Sequence, residues 1–163
     1  MESDALDLLT QLGATFTFRK RPIPIPYDMR ADYRIAIILL MLRYCGWKGQ
    51  APLAKLHVLN WAHRTTDGQR ALLDRLDGNL HMRGIQIKFD PAFSRAIDLS
   101  RGEGLIERTE SHALVLTPSG NAWLDEIESD ASCLVQERNF FESVGMRLKN
   151  SILKSILNPS SIW

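Results

Sequence analysis

Residues Phe93 to Ile127, FSRAIDLSRGEGLIERTESHALVLTPSGNAWLDEI, place a helix, a hairpin and a second helix in immediate succession. Phe93, Ala96, Ile97 and Leu99 set an apolar stripe on the first helix, and Gly102 and Gly104 stop it, because glycine accepts left-handed backbone cheaply. Leu105 to Arg108 and Ala113 to Leu116 then flank a polar tip, Thr109 to His112, as two short strands of a small hairpin. Thr117 is placed to cap the next helix, with Pro118 at the first position, where a missing N–H costs nothing.

That order is the pattern of a winged-helix unit. The predicted fold class is mainly α with a small β-wing: a winged-helix (α+β) domain over residues 30–130, preceded by an N-terminal strand and Pro-rich arm (1–29) and followed by a C-terminal helical extension (131–163). The 93–127 unit of a winged helix usually pushes its first helix into a DNA groove, which requires positive charge. From Asp90 to His112 the bases Arg95, Arg101 and Arg108 face five acids, Asp90, Asp98, Glu103, Glu107 and Glu110, a net of −2. Such a surface repels phosphate, so the unit reads as a protein-docking scaffold.

The whole chain, at net +1, hides a segregation of charge. Arg19 to Arg64 holds nine bases against Asp28 and Asp32, a net of +7, whereas Ala113 to Gln136 holds only Asp125, Glu126, Glu128 and Asp130, a net of −4. Arg19, Lys20 and Arg21 are the most concentrated trio and the candidates for non-specific DNA contact; the alternative is that the basic residues are scattered over solvated faces.

With 163 residues, 45% hydrophobic and 24% charged, the chain can bury one good core but not two, and disordered, collagen-like and disulfide-dense classes are excluded. Cys45 and Cys133 are the two cysteines, far apart and without metal-type spacing. No structural disulfide, metal site or cofactor is therefore expected. Glu2, Asp4 and Asp7 precede any apolar run, opposite in sign to a secretory leader, and the greasy stretch Ile35 to Leu42 is too short for a bilayer. The expected home is the cytoplasm, without membrane contact.

Along the chain, Ala14 to Arg19 alternates like a short strand, and Pro22, Pro24 and Pro26 enforce an extended arm. Tyr33 to Tyr44 is the central buried helix, ended by Gly46; Pro52 starts a second, Gln69 to Leu76 forms a third, and Ile85 to Phe89 reads as a strand. Beyond Pro118 the pattern is helical to about Leu157, with an interruption at Gln136 to Asn139 that predicts two helices. Phe141, Val144, Leu148, Ile152 and Ile156 fall on one face of the second.

Catalytic motifs are absent: there is no Gly-x-Ser-x-Gly, His-Glu-x-x-His or phosphate-cradling glycine loop. His57 has Trp61 one turn away and Asn60 and Arg64 nearby, yet no carboxylate at a spacing that orients an imidazole as base. Asp77 with Gln86-Ile87-Lys88 loosely matches a metal-dependent nuclease, but neutral Gln86 stands where such enzymes need a carboxylate for Mg²⁺. The chain is expected not to be an enzyme.

Tyr33 to Arg64, YRIAIILLMLRYCGWKGQAPLAKLHVLNWAHR, resembles the opening of the middle components of bacterial ABC-three component conflict systems, which include the Lamassu type of anti-phage and anti-plasmid defence. The likeness rests on Arg34-Ile35-Ala36, Cys45-Gly46 and Leu53-x-Lys55-Leu56-His57-x-x-Asn60-Trp61-Ala62, and with the winged-helix pattern it covers roughly residues 30–130. It implies a non-catalytic adaptor subunit beside an SMC-like or ABC-type ATPase and an effector, often a nuclease. His57, Trp61, Ile152, Leu153, Ile156, Leu157 and Trp163 are the candidate docking residues, with a homodimer as a further option. The alternative function is a winged-helix transcriptional regulator that binds DNA directly.

Overall fold

The computed structural model describes residues 24–79, 87 and 90–158; the expected strand 14–19, the trio Arg19, Lys20 and Arg21, all but Ile87 of the expected strand 85–89, and Trp163 lie outside the described residues. Helix α1 spans Ala31–Cys45, and Ile37 to Leu42 are each no more than 1% exposed. An apolar run with no polar side must be covered all round, and α1 is: α2 (Leu53–His63), α4 (Pro91–Gly102), α5 (Pro118–Ser129), α6 (Val135–Val144) and the sheet all pack on it. Two further helices, α3 (Thr66–Leu76) and α7 (Asn150–Leu157), pack against α2. The described residues are thus mainly helical around a small antiparallel sheet.

Three short strands make that sheet: β1 (Gln50–Pro52), β2 (Ile106–Arg108) and β3 (Ala113–Leu116), in the order β1-β3-β2. The hairpin follows the sequence expectation within one residue, with Ile106 opposite Leu116 and Arg108 opposite Leu114. Strand β1 was not anticipated, since three residues ending in proline carry no alternation to read. It forms because Lys48 (φ 52°) and Gly49 (φ 74°) reverse the chain after α1, and Gln50, Ala51 and Pro52 then lie against Val115, Leu114 and Ala113.

The cap expected at Thr117 forms, and Thr65 and Asp90 cap two further helices. Thr117 Oγ1 accepts from Gly120 N at 3.0 Å, Thr65 Oγ1 from Gly68 N at 3.0 Å, and Asp90 Oδ1 from Ala92 N and Phe93 N at 3.0 and 3.3 Å. Within α4 the stripe is corrected: Phe93, Ala96 and Ile97 are buried, but Leu99 is 48% exposed and Ser100 takes the inward position, its hydroxyl donating to Ala96 O at 2.7 Å.

The interruption expected at Gln136 to Asn139 is also corrected. Those residues are helical, and the break falls at Asp130 to Leu134, where Asp130 Oδ1 accepts from Ser132 N at 2.8 Å and Leu134 turns left-handed. A second break follows at Gly145 to Lys149, so three helices stand where two were expected. Phe141, Val144, Leu148, Leu153 and Ile156 enter the core cluster that α1 organises. The C-terminal extension therefore shares the core of the preceding elements.

Candidate functional site

Among the described residues, the basic and acidic stretches of the sequence meet in space at Arg43. Arg43 Nη1 donates to Asp125 Oδ1 and Glu128 Oε2, both at 2.7 Å, joining the basic first third to the acidic helix α5. Arg30 pairs with Asp32, Arg34 and Arg64 with Asp90, and Lys55 is buried with its ammonium donating to Cys45 O at 2.6 Å. From Arg30 to Arg64, among the described residues, Lys48 alone is an exposed base without an ion pair. No basic face is assembled there.

The outward face of α4 carries Ala92, Arg95, Asp98, Leu99 and Arg101, all exposed. Arg101 Nη1 lies 3.8 Å from Asp98 Oδ1, so part of its positive charge is cancelled on the helix itself. Beside it Glu103, Glu107 and Glu110 line the approach to the hairpin and its tip, all exposed. The large apolar side chain on this mixed surface is Leu99.

At the other end of α4, Asp90 is a hub. Its Oδ2 accepts from Arg34 Nη1 at 2.9 Å and from Asn60 Nδ2 at 3.5 Å, with Arg64 Nη1 also at 3.5 Å, while Oδ1 caps α4. Burial pushes the Asp90 carboxyl up, but the Arg34 guanidinium and the Phe93 N–H outweigh it and hold it below the usual carboxylate range. Nothing in the spacing of Arg34, Asn60, Arg64 and Asp90 signals this cluster, which only the packing of α1, α2 and α4 assembles.

The hub forms one wall of a half-open cleft of about 620 Å³ between the start of α1, the α2–α3 junction and the start of α6. Tyr33 stands in it, its hydroxyl donating to Glu137 Oε1 at 2.9 Å; burial, then the Glu137 charge, pushes its phenol up. His63, also in the wall, is pushed down to about 4 by burial and the neighbouring Arg64 and Arg34 charges, so it is neutral at pH 7.

The docking candidates part company. Trp61 lines the cleft, whereas His57 stacks edge-on to Phe93 with ring centroids 5.4 Å apart and is held down by burial against the pull of Asp90. Leu153 and Ile156, each 6% exposed, are spent on the chain's own core because α7 folds back onto α2; they present no docking surface. Ile152 is half-buried against the core and Leu157 is 41% exposed. Among the described residues no group of three metal-ligating side chains exists, and no helix is long and apolar enough to cross a membrane. No family model, curated protein or solved structure matches this chain.

Proposed function

We propose that this chain is a non-catalytic adaptor on a winged-helix scaffold, joining an SMC-like or ABC-type ATPase to an effector, often a nuclease, in a bacterial anti-phage or anti-plasmid defence complex. The winged-helix reading is supported by the succession α1, β1, further helices, β2 and β3, with the first strand paired to the third. In it α4 takes the place of the helix that enters a groove, and the β2–β3 hairpin is the wing.

The observation that carries the adaptor role is the surface of α4. An exposed Leu99 sits among charges of both signs, next to an acidic wing, where a groove-reading helix needs a basic face. Exposed apolar side chains ringed by charge suit a protein interface. The defence setting rests on the resemblance of residues 33–64 to the middle components of those systems.

Co-purification of the tagged chain with the products of its neighbouring genes tests the reading. An ATPase and an effector should be retained, and Leu99→Glu should release them without changing the melting temperature. Sequence-specific DNA binding by the isolated chain, on the order of nanomolar at physiological salt and lost in Arg95→Ala with Arg101→Ala, would overturn it in favour of a regulator.

A further inference from the structure

The cleft beside the Asp90 hub has a chemistry that the adaptor role does not use. Its volume, about 620 Å³, lies within the range of small-ligand sites, roughly 300–1,000 Å³. Two of its carboxylates, Asp28 and Glu137, come from segments more than a hundred residues apart and converge on Tyr33, whose phenol both of them push up. Neither makes an ion pair among the described residues. Glu137 is held by the Tyr33 hydroxyl, which orients one oxygen and adds no charge. The positive groups nearby, Arg34 and Arg64, are both turned to Asp90.

Aromatic side chains complete the cleft. Tyr27 stands edge-on to Tyr33 with centroids 5.0 Å apart, and Trp61 lines the same space from α2. Ring faces and carboxylates attract one kind of guest, a cation with apolar edges. An anion would meet three carboxylates, those of Asp28, Asp90 and Glu137.

We propose that this cleft binds an organic cation, a guanidinium or alkylammonium group, between the carboxylates of Asp28 and Glu137 and the rings of Tyr27 and Trp61. The group comes either from a free small molecule or from an arginine or lysine side chain of a partner protein. The site stands apart from the outward face of α4, so it is independent of the adaptor reading. Asp90 belongs to its wall and also caps α4.

The test is an NMR titration of the ¹⁵N-labelled full chain, following the Trp61 indole N–H, with ethylguanidinium as the free cation and a blocked Gly-Arg-Gly peptide as the side-chain form. Butylurea serves as the neutral control. At least one cation should give a saturable shift with Kd of about 1 mM or tighter, and butylurea none. Glu137→Gln and Asp28→Asn, each melting like the parent, should weaken binding by about fivefold or more. Binding of the peptide alone assigns the site to a partner's side chain, and equal or better binding of ethylguanidinium assigns it to a free ligand. The absence of a saturable shift with either cation up to about 10 mM, or unchanged affinity in both variants, would overturn the proposal.

Discussion

Arg34 and Asp90 are 56 residues apart in sequence, yet Arg34 Nη1 lies 2.9 Å from Asp90 Oδ2, with both side chains about 13–14% exposed. The pair ties the central helix α1 to the start of α4. Because Asp90 also caps α4, a single carboxylate fixes the position and the first turn of the helix on which the proposed docking surface lies.

Asp90→Ala should therefore be among the more damaging single changes, since it leaves the Arg34 guanidinium buried without its partner and uncaps α4. The expected loss is about 3 kcal/mol, most of it from the unpaired charge. Urea denaturation of the variant against the parent measures it. A loss below about 1 kcal/mol would mean that Arg34 finds water on removal of the pair.

Stability should fall as the solution is acidified from about pH 6.5 towards pH 4, because of His63. Its folded value is lowered to about 4 while the unfolded imidazole titrates near 6.5, so in that window the unfolded chain takes up a proton that the folded chain refuses. Stability thus rises with pH across the window, and the acid end forfeits about 2–3 kcal/mol. Denaturant titrations at pH 7 and pH 4.5 should show the drop, and His63→Gln should flatten it; an unaltered slope in that variant would assign the effect to the carboxylates.

Gly120→Ala should destabilise the chain by about 2–3 kcal/mol. A β-carbon there would stand 2.1 Å from Leu105 O, the carbonyl that accepts from Thr117 N, so α5 could not keep its seat against the strand. Thermal melting decides it, with Ser119→Ala on the exposed neighbour as the control expected to change little.

Leu153→Ala and Ile156→Ala should each cost about 2–4 kcal/mol, as buried aliphatic truncations do. Leu157→Ala, exposed on the same helix, should stay within about 0.5 kcal/mol. Chemical denaturation of the three variants distinguishes a core helix from one held ready for another subunit, which would show three similar small changes.

Local chemistry was legible in the residues themselves. The apolar run Ile35 to Leu42 has no polar side, and a helix of that kind can exist in water only when enclosed. Thr117-Pro118 and Gly104 (φ 69°) act through their own backbone and their nearest neighbours, so cap and hairpin there needed no tertiary context, whereas Gly102, expected to stop the helix, is its last helical residue. Strand β1 was invisible because three residues become a strand only when β3 is beside them. The break after α5 was misplaced because Gln136 to Asn139 are polar at the surface of a helix, while Asp130 to Leu134 turn through backbone conformations that periodicity does not record.

The sequence by itself determined that a mainly helical chain with a small hairpin would form around α1, and that its hairpin region would be acidic, because pattern and net charge are properties of segments. Only the tertiary structure decided which charges remain. Packing set Arg43 against Asp125 and Glu128, Arg34 against Asp90, and Asp28 with Glu137 around Tyr33 without an ion pair among the described residues. Electrostatic interaction depends on distance in space, and the order of residues along the chain does not contain those distances.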